Sequence, residues 1–306
     1  MNADSKKAVL AALAANSGLA IAKFVGFAAT GAASLLAEAV HSVADTTNQA
    51  LLLWGGRAAK RDPSPAHPYG YGRERYFWSF IVAVVIFILG GGFAIVEGVS
   101  KLREPHAIDG VGWAIGILLV GIVLEAASLR AAAQASQRVR GDRSWWEFIR
   151  TTRSAELAVV LLEDLGAVAG LVLALIGIGL AEITGDPRFD SLGSIAIGVL
   201  LCVIAVILAI ELKSLLIGES ASPQQEATLR EALLGDPDVV RILHLRTQHM
   251  GPDQLLVGAK LEFDVSLGME ELATAIDRTE ALVREAVPAP RIIYIEPDLL
   301  RTPTPE

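Results

Sequence analysis

The chain has a single cysteine, Cys202, in 306 residues. No intrachain disulfide can form, and no CxxC-type metal signature exists. Cys202 lies inside an apolar block and reads as a small packing residue. Charge is also scarce: charged residues make up 20% of the chain, the net charge is −8, and no basic stripe appears. That balance argues against nucleic acid as a partner, and none is expected. Neither GxSxG nor HExxH occurs in the apolar segments. An intramembrane hydrolase is therefore disfavoured, and no enzyme is expected.

What the chain has in excess is apolar residues. They reach 53%, above the 45–50% or so usual for soluble domains, and mean hydropathy is +0.48. The excess is gathered into six blocks, Ala8–Ala29, Ser34–Gly56, Tyr76–Val99, Val111–Ala133, Leu157–Ile183 and Leu192–Ile217. A membrane helix needs about 20 such residues, so six transmembrane helices are expected. Thr30–Ala33 leaves only a tight hairpin between the first two. The stretch after Lys7 is too long for a signal-peptide core, shows no cleavage site and follows no Arg/Ser-rich segment. It is expected to be a retained first span.

Orientation follows from lysine and arginine in the short loops. The segment between spans two and three carries Arg57, Lys60, Arg61, Arg73 and Arg75, and that between spans four and five carries Arg130, Arg138, Arg140, Arg143, Arg150 and Arg153. The opposite loops hold only Lys101 and Arg103, then Arg188. The arginine-rich side is expected to be cytosolic, with both termini, in a cell (inner) membrane; Lys6 and Lys7 agree.

After Gly218 the composition changes. Ser220–Gln225 reads as a polar linker and helix cap, with Pro223 early in the helix. Val239–His249 and Gln254–Asp264 read as strands around a turn, Gly268–Ala286 as an amphipathic helix and Arg291–Glu296 as a last strand. The fold class is thus an α-helical membrane protein, a six-transmembrane-helix bundle over 1–218, followed by a small α+β (α-β-β-α-β) cytosolic domain over 219–306. A domain of that size is marginal alone and is expected to dimerise.

A charge at mid-bilayer costs at least about 2.5–3.5 kcal/mol, so the residues that break the apolar pattern are the informative ones. Span two holds His41 and Asp45 at i, i+4, on one helix face, with Asn48 and Gln49 a turn further. An imidazole and a carboxylate so placed form half of a four-coordinate site for a borderline cation; the structural alternative is a packing hydrogen bond. Span five holds Glu163 and Asp164 side by side. Successive residues point about 100° apart, so one carboxylate can face His41 and Asp45 while the other faces elsewhere. Asp164 is expected as ligand and Glu163 as extra ligand or proton carrier. Glu125, deep in span four, is a proton relay or a packing acid; Lys23 and Glu38 are expected to snorkel. Asn16 reads as a helix–helix hydrogen bond, and Gly90-Gly91-Gly92 as close packing or a flexible point.

With the topology, these residues resemble the cation diffusion facilitator family of divalent metal transporters over nearly the whole chain. NSGLAIAKFVGFAATGAASLLAEAVHSVADTTNQ is similar to its first hairpin and second-span metal motif, HPYGYGRERY from His67 to its HPFGHGK-type loop, and DPRFDSLGSIAIGVLL to its sixth-span entry. The C-terminal HLRTQHMGPDQLLVGAKLEFDVSLGMEELATAIDRTE and IIYIEPD resemble its cytosolic domain. The resemblance implies a tetrahedral site from two residues of span two and two of span five, exchange of zinc or a related cation for protons by alternating access, and a homodimer. His41, Asp45 and Asp164 match the family ligands; the usual fifth-span histidine falls on Val160. LLED resembles a divergent branch that includes a mitochondrial zinc exporter of animals. With one histidine fewer, manganese, iron and cobalt stay open beside zinc. Loop residue His67 and C-terminal His244 match accessory positions. Lys260 and Tyr294 stand where metal-binding histidines are expected, and Glu296 replaces an aspartate. The cytosolic domain is thus expected to bind metal weakly or not at all. The expected function is proton-coupled export of a divalent cation; the alternative is a non-transporting membrane metal sensor or scaffold.

Overall fold

The computed structural model describes residues 3–287 and 290–300, with side chains described over 17–287 and 292–300. Lys6, Lys7 and Asn16, named above, lie outside the described side chains. The elements in order are α1 (Ala3–Thr30), α2 (Ala33–Ala58), α3 (Glu74–Val85), a π turn (Ile86–Gly92), α4 (Phe93–Arg103), α5 (Val111–Arg140), α6 (Trp145–Thr151), α7 (Ala155–Thr184) and α8 (Arg188–Ile217). Then follow α9 (Pro223–Leu233), β1 (Val239–Gly251), β2 (Gln254–Phe263), α10 (Met269–Ala286) and β3 (Pro290–Pro297).

Among the described residues four helices are long and apolar enough to cross a membrane: Glu74–Arg103, Val111–Arg140, Ala155–Thr184 and Arg188–Ile217. Ser17–Thr30 is apolar but shorter. The 26-residue α2 has the length, and Glu38, His41, Asp45, Asn48 and Gln49 dilute its hydropathy. Six spans therefore exceed what helix length and composition establish. The seven-residue α6, capped by Ser144 Oγ accepting from Glu147 N, occupies a loop for which no helix was expected.

The chain divides into two compact units. One runs to Arg57 and resumes over Tyr76–Lys213; the other takes Ala58–Arg75 and the chain from Ser214 onward. The second break falls inside α8, and the loop 58–75 packs with the C-terminal residues.

In the first unit, α2 starts on a borrowed cap. Ala33 N donates to Asp190 Oδ2 at 2.5 Å, Ser34 N donates to Asp190 Oδ1 at 3.1 Å, and Ser34 Oγ donates to the same oxygen. A carboxylate from α8 thus satisfies two orphan N–H groups of the α2 first turn and complements its dipole. The seam between the third-span helix and α8 is made of backbone. A Cβ on Gly91 would stand 2.9 Å from the Gly198 carbonyl oxygen, and a Cβ on Gly198 would stand 2.7 Å from that of Gly91. Only hydrogen fits at either position, the small-residue packing that lets membrane helices approach closely.

In the second unit, β1 and β2 pair antiparallel and β3 adds parallel to β2, giving the order β1-β2-β3. Leu255, Val257, Ala259, Leu261 and Phe263 are buried on one face of β2, as its alternation demands. They pack with Leu229 and Leu233 of α9 and Ala275 and Val283 of α10. α9 opens on a complete capping box between Ser222 and Gln225. The loop 58–75 joins this unit through an ion pair of Arg75 Nη1 with Asp253 at 2.9 Å and a hydrogen bond between Tyr69 and Tyr294.

Candidate metal centre

α2 turns one polar face into the interior of the first unit. His41 and Asn48 are 0% exposed and Asp45 is 6% exposed. His41 Nδ1 stands 3.5 Å from Asp45 Oδ1, too long for a hydrogen bond. Both ring nitrogens of His41 and Oδ1 of Asp45 are buried without a hydrogen-bond partner. Two ligand atoms about 2.0–2.1 Å from a tetrahedral zinc stand about 3.4 Å apart, a spacing this pair shares with ordinary van der Waals contact.

α7 answers this face with Glu163. Its Oε1 accepts from Asn48 Nδ2 at 3.0 Å, and its carboxyl lies within hydrogen-bond reach of Asp45. Two carboxyl groups so close hold a proton or a cation between them, because two bare carboxylates repel. Asp164 points the other way, about 100° around the helix: its Oδ2 accepts from Ser128 Oγ of α5 at 3.0 Å. Glu125 of α5 is 7% exposed and lies close enough to feel the charges of both Asp164 and Asp45. The site residues read from the sequence thus fall into two groups. His41, Asp45, Asn48 and Glu163 form one, and Asp164 and Glu125 form the other, joined by Ser128, which the sequence did not single out. Among the described residues no three His, Cys, Asp or Glu side chains converge closely enough to hold a metal ion.

Two residues expected to snorkel are buried instead. Lys23 and Glu38 are both fully enclosed, with Nζ 2.9 Å from Glu38 Oε2 and 2.8 Å from Ser42 Oγ. The tight hairpin between α1 and α2 brings position 23 back against position 38, so neither side chain reaches an interface. Ser42 follows His41 directly, which places a fixed ammonium within electrostatic reach of His41 and Asp45. The sequence carried the signal, a lone lysine and a lone glutamate on the two arms of one hairpin.

The accessory positions lie in the second unit. His67 stacks on Tyr71 at 4.6 Å between ring centres and shares a shallow cavity with Tyr69, Arg73 and Met250. His244 of β1 accepts from Arg246 Nε at 2.5 Å and pairs in register with Lys260. Lys260 Nζ stands 3.1 Å from both Glu296 and Asp298, and these carboxylates push the lysine pKa above its usual range. A tethered ammonium already fills the space between the two acids.

The cation efflux transmembrane domain family matches residues 9–217. The proton-coupled zinc antiporter SLC30A9, mitochondrial, of Xenopus laevis is 38% identical over 261 residues, which cover 84% of this chain and 46% of that protein. Metal tolerance protein C4 of Arabidopsis thaliana is 32% identical over 286 residues, 92% of this chain and 63% of the relative. The chain thus spans about half to two thirds of the length of these relatives. Among solved structures, a C-terminal domain of MamM aligns at 16% identity and a TM-score of 0.24, covering 26% of this chain and 94% of that one.

Proposed function

Because the chain belongs to the cation efflux, or cation diffusion facilitator, family, a family of integral membrane transporters rather than enzymes, we propose that it carries a divalent cation across the membrane in exchange for protons. Zinc is the first candidate, with manganese, iron and cobalt behind it. The observation that carries this reading is the meeting of Asp45 and Glu163 beside a His41 whose ring nitrogens have no partner, inside the unit that holds the membrane-crossing helices.

A proton or a cation stabilises that carboxyl pair, and the two compete because metal ligands must be deprotonated. The cation enters from the arginine-rich side, taken as cytosolic, and is held by His41, Asp45 and Glu163. Asp164 completes the shell in a conformation where α7 turns it toward α2; in the present one it rests on Ser128. Asn48 orients Glu163, and Glu125 passes protons. Opening to the far side lets protons at His41 and the carboxylates displace the ion, a population shift between two states favoured by different ligands. Six spans, cytosolic termini, a location in the cell (inner) membrane and a homodimer joined through the C-terminal unit complete the proposal. That unit works by assembly, since Lys260 occupies the place of an accessory cation.

Purified protein in proteoliposomes tests this directly. Zinc flux that rises with an opposing pH gradient, and falls to background in His41→Ala and Asp45→Asn, is the expected result. Wild-type flux in either variant, or no flux of any of the four metals in the wild type, overturns the reading.

A further inference from the structure

The third span is not a regular helix where it passes His41. Residues Ile86–Gly92 wind as a π turn that ends in three glycines, with Phe93 N donating to the carbonyls of both Gly90 and Ile88. Seven π-wound residues are rare, and such segments appear frequently at functional sites. A Cβ added at Gly90 would stand 3.7 Å from His41 Nδ1 and 3.1 Å from Leu201 Cδ1. The neighbouring Gly91 is locked against Gly198 of α8, so the backbone at Gly90 cannot retreat to make room.

We propose that Gly90 is a cation-admitting position: its missing side chain keeps open the space beside His41 Nδ1 in which the transported cation is held. This deepens the transport reading and rests on it. A cation held by an imidazole nitrogen stands about 2.0–2.1 Å away. On the Gly90 side of the ring it would overlap a methyl carbon only 3.7 Å from that nitrogen. The alanine variant therefore excludes the ion while meeting His41 Nδ1 only at van der Waals distance. The fit of the carboxylates and imidazole stays as it was, and the loss falls on loading alone.

The experiment uses the full chain in detergent for zinc binding, by competition with a fluorescent chelator, and in proteoliposomes for zinc flux. Gly90→Ala is expected to lower zinc affinity at least tenfold and bring flux to background. Gly116→Ala, which adds a methyl in open space on α5, keeps both. Because the new methyl also presses on Leu201, Gly90→Ala/Leu201→Ala is made in parallel to remove that contact; Leu201 is buried, so the double variant is expected to fold with a lower unfolding midpoint and still fail to bind. Recovery of binding in the double variant assigns the loss to packing and overturns the proposal, as does wild-type affinity in Gly90→Ala. A wild type that binds zinc but moves none sinks the transport reading instead, while the binding comparison still decides the role of Gly90.

Discussion

Lys23 Nζ lies 2.9 Å from Glu38 Oε2, and neither side chain is exposed at all. Glu38 Oε1 has no hydrogen-bond partner and abuts Gly170 of α7. A buried ion pair owes its tolerance to the partner, and removing one member leaves an uncompensated charge at a cost of about 3–5 kcal/mol. Lys23→Met should therefore lower the thermal unfolding midpoint in detergent sharply. Lys23→Met/Glu38→Met should regain most of the loss. Equal midpoints for the single variant and the wild type would show that the pair does not hold the hairpin.

Glu163 and Asp164 differ in what they touch, so they should differ in what they do. Glu163→Gln breaks the carboxyl contact with Asp45 while keeping the Asn48 hydrogen bond available. Equilibrium zinc binding should weaken on the order of 10–100-fold, the scale seen when groups around a metal are altered. Asp164→Asn leaves that contact intact and can still accept from Ser128; its binding defect should be smaller than its flux defect. The two variants measured side by side for affinity and flux decide this, and identical profiles would contradict it.

How much of this was legible beforehand depends on the length scale of the signal. The apolar blocks and the strand alternation are local, and they place α7, α8, β1, β2 and β3 within a few residues; α5 begins at Val111 as expected and runs on past Ala133 to Arg140. The polar face of α2 was equally plain, because His41 and Asp45 share a helical period. The choice between Glu163 and Asp164 was not, since it depends on how α7 is rotated against α2 and α5. Lys23 reads from sequence as a snorkelling residue because its burial comes from the fold-back of a neighbouring helix. The π turn at Gly90 leaves no periodic trace at all; it arises where a glycine run meets the Gly198 seam.

Asp190 holds the first turn of α2 through three hydrogen bonds. Replacing a good cap by alanine costs about 0.5–2 kcal/mol. Asp190→Ala should speed amide exchange over Ala33–Leu36 by about 2–30-fold, and Asp190→Asn, which keeps an acceptor oxygen, should do less. Unchanged exchange in the alanine variant would mean the cap is idle.

In the C-terminal unit, Asp236 accepts from Arg278 Nε and Nη2, both at 2.9 Å, and Asp238 Oδ2 accepts from Nη2 at 2.5 Å. The guanidinium holds the Asp236 pKa below the usual carboxylate range. A group depressed in the folded state adds stability that is complete above its unfolded pKa, about 3.9, and fades as pH falls through the folded value. Asp236→Asn should therefore be less stable than wild type at neutral pH, by about 1–3 kcal/mol, and melt at lower temperature. The gap should close only below about pH 4. A gap unchanged at pH 3 would refute the linkage.

Gly91 and Gly198 give each other no room for a single carbon. That seam pins the identity of two residues by steric necessity, not by cargo chemistry. Libraries built to retune metal preference should hold both glycines constant and vary the walls around them. Otherwise clones that never assemble will be scored as clones that changed their taste.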